Sequence, residues 1–138
     1  MRIHSMIISS LLISLVACGI KKLKKIDLEK IEIASISANY ESIKLLKVYN
    51  AGTCKGESEM RANVYLVKIH SDEEQLFVIE PCRDFPQLAS RELQELEKRD
   101  LVLVKIPPLT DKSLYIPEDV DIPAGSKVIL GSLKLLSY

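Results

Sequence analysis

Few side chains in this 138-residue chain can do chemistry, and their spacing indicates what kind. A nucleophile needs a base within hydrogen-bond reach. The two histidines are His4, just ahead of an apolar N-terminal run, and His70, beside Asp72, Glu73 and Glu74 in a polar turn between apolar runs. His70 is expected to be an exposed turn residue. Carboxylates two apart occur at Glu57/Glu59 and Asp119/Asp121, and in a strand such pairs share a face and can divide acid–base work. Both pairs stand in polar or Pro-rich segments, where solvation accounts for them. Zinc calls for several Cys, His or carboxylate ligands at close spacing, and calcium for a dense set of oxygens; the sequence offers neither. It also lacks a Gly-rich phosphate loop and a GxSxG motif. The expectation is a non-enzymatic protein without metal or cofactor.

The three cysteines, Cys18, Cys54 and Cys82, say more. Met1–Ser5 carries one base and no acid, and Met6 to Val16 is apolar except for serines. That run is about half of the roughly 20 residues a membrane-spanning helix requires, and it fits the short apolar region of a secretory signal. It ends in Leu15-Val16-Ala17-Cys18-Gly19, which resembles the lipobox of bacterial lipoproteins. The resemblance covers the leader and the first mature residue only. It implies removal of residues 1–17, diacylglyceryl transfer to the Cys18 thiol and often acylation, for instance with palmitate, of the new amino group. One acyl chain gives marginal membrane binding, whereas two or more hold stably. Gly19 in place of Asp implies, by the same resemblance to lipoproteins of diderm bacteria, the outer membrane, facing the periplasm or the cell surface.

An exported chain meets an oxidising compartment, where Cys54 and Cys82 read as a disulfide. The loop closed would be about 28 residues, for roughly 3–4 kcal/mol of stabilisation before strain. The alternative, two free thiols in a redox or metal site, has no CxxC spacing behind it. Without its leader the chain is one domain long and close to neutral, so it lacks the bulk positive charge that grips nucleic acid. It has no Trp and only two Phe, which argues against an aromatic stacking platform.

Residues 18–40 are expected to form the anchor and a tether, and residues 41–138 a small β-rich domain. Lys21, Lys22, Lys24 and Lys25 could touch anionic head groups or belong to a solvated tether, and residues 26–36 suit a short helix or a first strand. Strands are predicted at 42–49, 61–70 and 75–80, with the second and third forming the clearest hairpin. Ala89, Leu93 and Leu96 make the stripe of a short amphipathic helix within 86–100, with Ser90 as a cap. Further strands are predicted at 101–106 and 127–136, the latter with a bulge or bend at Gly131, and a short one at 114–116.

The order β-β-β-α-β-β predicts a mainly β, α+β domain: a small antiparallel barrel or sheet of five to six strands, with the element order of an OB-fold. A meander would bring Cys54 and Cys82 to one edge. The long Pro-rich connection over 107–123 is the expected partner-binding segment, through Leu109, Leu114, Tyr115 and Ile116; the competing expectation is that these residues cover the open end of the barrel. The functional expectation is a lipid-anchored envelope protein that binds another envelope protein and not nucleic acid. The alternative is a small-ligand-binding or hydrolase-inhibitor module.

Overall fold

The computed structural model describes residues 22–33, 40–52, 60–71, 73–82, 88, 91–106, 109 and 113–136. Among them are seven strands: β1 Leu23–Asp27, β2 Tyr40–Tyr49, β3 Ala62–Ile69, β4 Gln75–Pro81, β5 Leu101–Lys105, β6 Ser113–Pro117 and β7 Val128–Leu135. One helical turn, α1 Leu93–Leu96, lies between β4 and β5. Strands β2-β3-β4-β7-β5 close into a barrel, and β1 and β6 form a separate two-stranded sheet. The predicted mainly β class, with a helix between the third and fourth barrel strands, is the observed one, and the layout is that of the OB-fold.

The barrel departs from the antiparallel expectation at one place. β4 and β7 run parallel, from Phe77↔Val128 to Ile79↔Leu130. The reason is parity: a ring of five strands cannot alternate direction all the way round, so one pair must be parallel. The meander β2-β3-β4 is as predicted. It sets the end of β2, the start of β3 and the end of β4 at one end of the barrel, through Tyr49↔Val64 and Ala62↔Pro81.

Strands place alternate residues on opposite faces, and in β3 and β4 both faces are apolar. Tyr65, Val67, Leu76 and Val78 point into the barrel with Ile43, Leu45, Leu103 and Leu133. Val64, Phe77 and Ile79 point outward and join a second core with Leu114, Ile116, Val120 and Val128. Leu88 and Leu96 are buried against the barrel core and Leu93 packs on it. α1 is therefore a plug, shorter than the predicted helix. Its N-cap is Glu92, without a side-chain cap bond, while Ala89 and Ser90 lie outside the described residues.

Of the bulge or bend expected at Gly131, the bulge is not observed. β7 pairs with β5 in unbroken register through Gly131, and the irregularity is in β2, between Leu45 and Lys47. Gly131 serves close approach instead. A Cβ there would stand 2.7 Å from Leu103 Cδ1 and 3.0 Å from the Val104 carbonyl oxygen. This is also where β7 passes from its last partner on β4 to its first on β5.

The largest correction concerns the tether. Leu23–Asp27 is not a free linker but strand β1, paired with β6 from Leu23↔Pro117 to Asp27↔Ser113. Asp27 then caps a 3-10 turn, Leu28–Lys30, its Oδ1 accepting from Glu29 N at 3.0 Å. The folded domain thus reaches at least to Leu23. The cause is the outer face of β3 and β4, which would present a sizeable apolar patch to water if bare. The β1–β6 layer covers it, with Leu114 and Ile116 fully buried and Ile26, Leu28 and Ile31 packed at the margin.

Candidate functional site

The second core does not fill to its edge. A cleft of about 490 Å³ opens between β1 with its following turn and the 120–126 loop. Ile26, Ile31, Ile116, Ile122 and Val128 supply apolar lining, and Lys24, Lys30, Glu32 and Asp121 supply charge of both signs. Strand parity puts Lys24 on the same face of β1 as Ile26, opposite Ile116 and Leu114. Its Nζ donates to the Val120 carbonyl and ties β1 to the loop. The loop ends in a turn at Pro123–Ser126, where Ser126 N donates to Pro123 O at 3.1 Å and Gly125 takes φ +85°. A cleft lined about equally by polar and apolar surface can take an apolar group bearing a polar end.

Among the described residues, the densest set of chemically capable side chains is elsewhere, inside the barrel. Glu80 and Tyr65 are fully buried. The Tyr65 hydroxyl donates to Glu80 Oε1 at 2.8 Å. Ser132 Oγ donates to Glu80 Oε2 at 2.6 Å, and Leu133 N to the same oxygen at 3.2 Å. Burial raises the Glu80 carboxyl above its ordinary range, against the hydrogen bonds from Ser132, Tyr65 and Leu133 N and the influence of Asn63, which favour its charged form. Burial, and next the Glu80 charge, push the Tyr65 phenol up as well. Asn63 stands opposite Glu80 across the strand pair. Its Oδ1 accepts from Ala51 N at 2.9 Å, while its buried Nδ2 has no hydrogen-bond partner. The Tyr65, Asn63 and Glu80 side chains of this network are closed off from solvent.

Of the predicted partner-binding residues, Leu114 and Ile116 are fully buried in the second core, and Leu109 packs against it. These three are therefore not a docking surface. They cover the outer wall of the barrel rather than its end, because β6 lies over the β3–β4 face. Tyr115, half-exposed on the opposite face of β6, is the one left facing outward, beside Lys25 of β1. His70 is exposed in its turn, as expected, and Asp119 and Asp121 are exposed too. Among the described residues no group of three or more His, Cys, Asp or Glu is placed to hold a metal ion. Cys82 is half-buried just past β4, its N–H donating to Arg61 O at 2.7 Å. Cys18, Cys54, Asp72 and Glu57/Glu59 lie outside the described residues. No family model, curated protein or solved structure matches this chain.

OB-folds bind oligonucleotides and oligosaccharides on the outer face of their second and third strands. Here those strands are β3 and β4, and the chain's own β1–β6 layer occupies that face. Sequence reasoning missed the cleft and its Lys24 because β1 is short and rich in lysine. It missed Glu80 although a signal was present: an acid closing the apolar run Leu76–Ile79 sits where strand alternation points it inward.

Proposed function

We propose that this chain is a lipid-anchored protein of the bacterial envelope that acts by binding, not by catalysis, as an accessory domain of an envelope assembly. The observation that carries the reading is the sequence Leu15-Val16-Ala17-Cys18 behind a short apolar leader. Two structural features support it. Among the described residues, the cluster richest in chemical groups is buried in the barrel, and the face an OB-fold offers to nucleic acid is already covered. Replacing Cys18 by Ser and labelling cells with palmitate tests the anchor. The expected result is label on the wild type, none on C18S, and loss of membrane association. Label-free wild-type protein in the soluble fraction would end the reading. In-cell crosslinking of the anchored protein should capture one dominant envelope protein.

A second reading, a small-ligand carrier, is favoured by the cleft, whose volume lies within the range of small-molecule sites. An amphiphile that binds the purified protein and is released by Ile26→Asp would favour it. An envelope protein captured equally well with that variant would favour the first.

A further inference from the structure

We propose that the cleft between β1 and the 120–126 loop takes a single-chain amphiphile with a zwitterionic head group, whose anionic part meets Lys24 and Lys30 and whose cationic part meets Glu32 and Asp121. The inference rests on the small-ligand reading of the cleft and adds to it the chemical class of the ligand. Charge complementarity is the first argument. The lining carries two lysines and two carboxylates, so a head group of a single sign would meet repulsion as well as attraction. These four side chains are not spent on one another. Among the described residues, Lys30, Glu32 and Asp121 make no side-chain hydrogen bond or ion pair, and Lys24 makes one bond, to the Val120 carbonyl. An ammonium has three donors, so Lys24 keeps donors for a ligand. Its bond to Val120 also sets a half-buried positive group beside the residue that precedes Asp121. Both signs therefore meet at that end of the cleft.

The apolar half of the lining supplies the second argument. Ile26, Ile31 and Ile122 line the cleft and are only half-buried, so a hydrocarbon chain laid on them removes apolar surface from water. Beneath them Ile116, Val120 and Val128 are fully buried and form a packed floor. The apolar surface runs on past the cleft. Ile33, bridged to Val128, is one of two large apolar residues exposed among the described residues. A track that continues along residues 31–33 suits an extended chain. The Lys24 bond and the turn at Pro123–Ser126 hold the two walls in place without a ligand, as expected of a pre-formed site.

The test is photolabelling of the full chain in neutral detergent micelles. The probes share one alkyl chain bearing a diazirine and differ in head group: phosphoethanolamine, phosphate, trimethylammonium or glucoside. Label is mapped by mass spectrometry on peptides covering residues 22–33 and 113–128. It is divided by the label on the β5 strand Leu101–Lys105, which cancels differences in micelle partitioning. The expected result is that the phosphoethanolamine probe labels the cleft peptides about three-fold or more above each of the others, the scale of one or two exposed ion pairs. Glu32→Gln combined with Asp121→Asn, both at exposed positions, should shift the preference to the phosphate probe. Equal cleft labelling by all the probes, a wild-type preference for another head group, or an unchanged preference in the double variant would overturn the proposal and leave the carrier reading standing. Cleft label no higher than that on β5 with every probe would overturn both.

Discussion

Tyr65 donates its hydroxyl to Glu80 across 2.8 Å in the interior of a closed barrel, and neither side chain reaches solvent. Glu80 is the hub, since Ser132 and the Leu133 amide bind its other oxygen. Removing it strands three buried donors. Glu80→Ala is expected to cost about 3 kcal/mol or more in urea unfolding. Tyr65→Phe removes one buried hydrogen bond to Glu80 and should cost roughly 1–3 kcal/mol.

The same carboxyl predicts a pH dependence. Its folded pKa lies above the ordinary 4.5 because burial disfavours the charge. As pH falls, the folded chain takes up this proton before the unfolded chain does. The contribution of Glu80 is therefore fully present below the unfolded value and declines as pH rises through the folded one. Glu80→Gln, neutral at every pH, should remove that decline, so the stability difference between wild type and E80Q changes over this window. A difference that stays constant with pH would show that the carboxyl keeps an ordinary pKa.

β6 separates core from surface within three residues. Ile116→Ala is expected to cost about 2–4 kcal/mol, because the methyl and methylene groups lost are fully buried. Tyr115→Ala, on the outward face, should cost under about 1 kcal/mol. Comparable losses at both positions would mean that the two faces of β6 are buried alike.

Gly131→Ala forces a methyl group against Leu103 and the Val104 carbonyl. Leu103 can yield, but the backbone oxygen cannot without disturbing the β5–β7 ladder. A loss of about 1–3 kcal/mol is expected. Leu103→Ala is itself a costly core truncation, but in a double-mutant cycle it should remove the side-chain part of the Gly131→Ala loss and leave the backbone part.

Pairing of Cys54 with Cys82 is predicted by non-reducing peptide mapping of the exported protein, as one linked pair of peptides. Cys82→Ser should then lower stability by about 3 kcal/mol under oxidising conditions, and much less under reducing ones. Equal loss in both conditions would point to packing of Cys82 rather than to a crosslink.

Local pattern made most of the barrel legible. β2, β3, β4, β5 and β7 were apparent as β-branched, apolar runs ended by Pro, Gly or polar turns, because these features act over a few residues and need no partner. Their order also carried the helix position and the meander. The proposed processing motif Leu15–Cys18 is a linear segment, so its reading too rests on local pattern alone.

Long-range geometry decided the rest. The lysines of β1 read as a tether, and only the bare outer wall of β3 and β4 gives that segment a reason to fold. Leu114 and Ile116 have the composition of a docking segment and become core because that same wall lies beneath them. The parallel β4–β7 pair follows from closing an odd ring, a property of the whole barrel and of no single strand. The sequence by itself determined which residues form the five barrel strands. The tertiary structure alone decided which of their faces stay in water, because burial depends on what a distant segment brings to the other side.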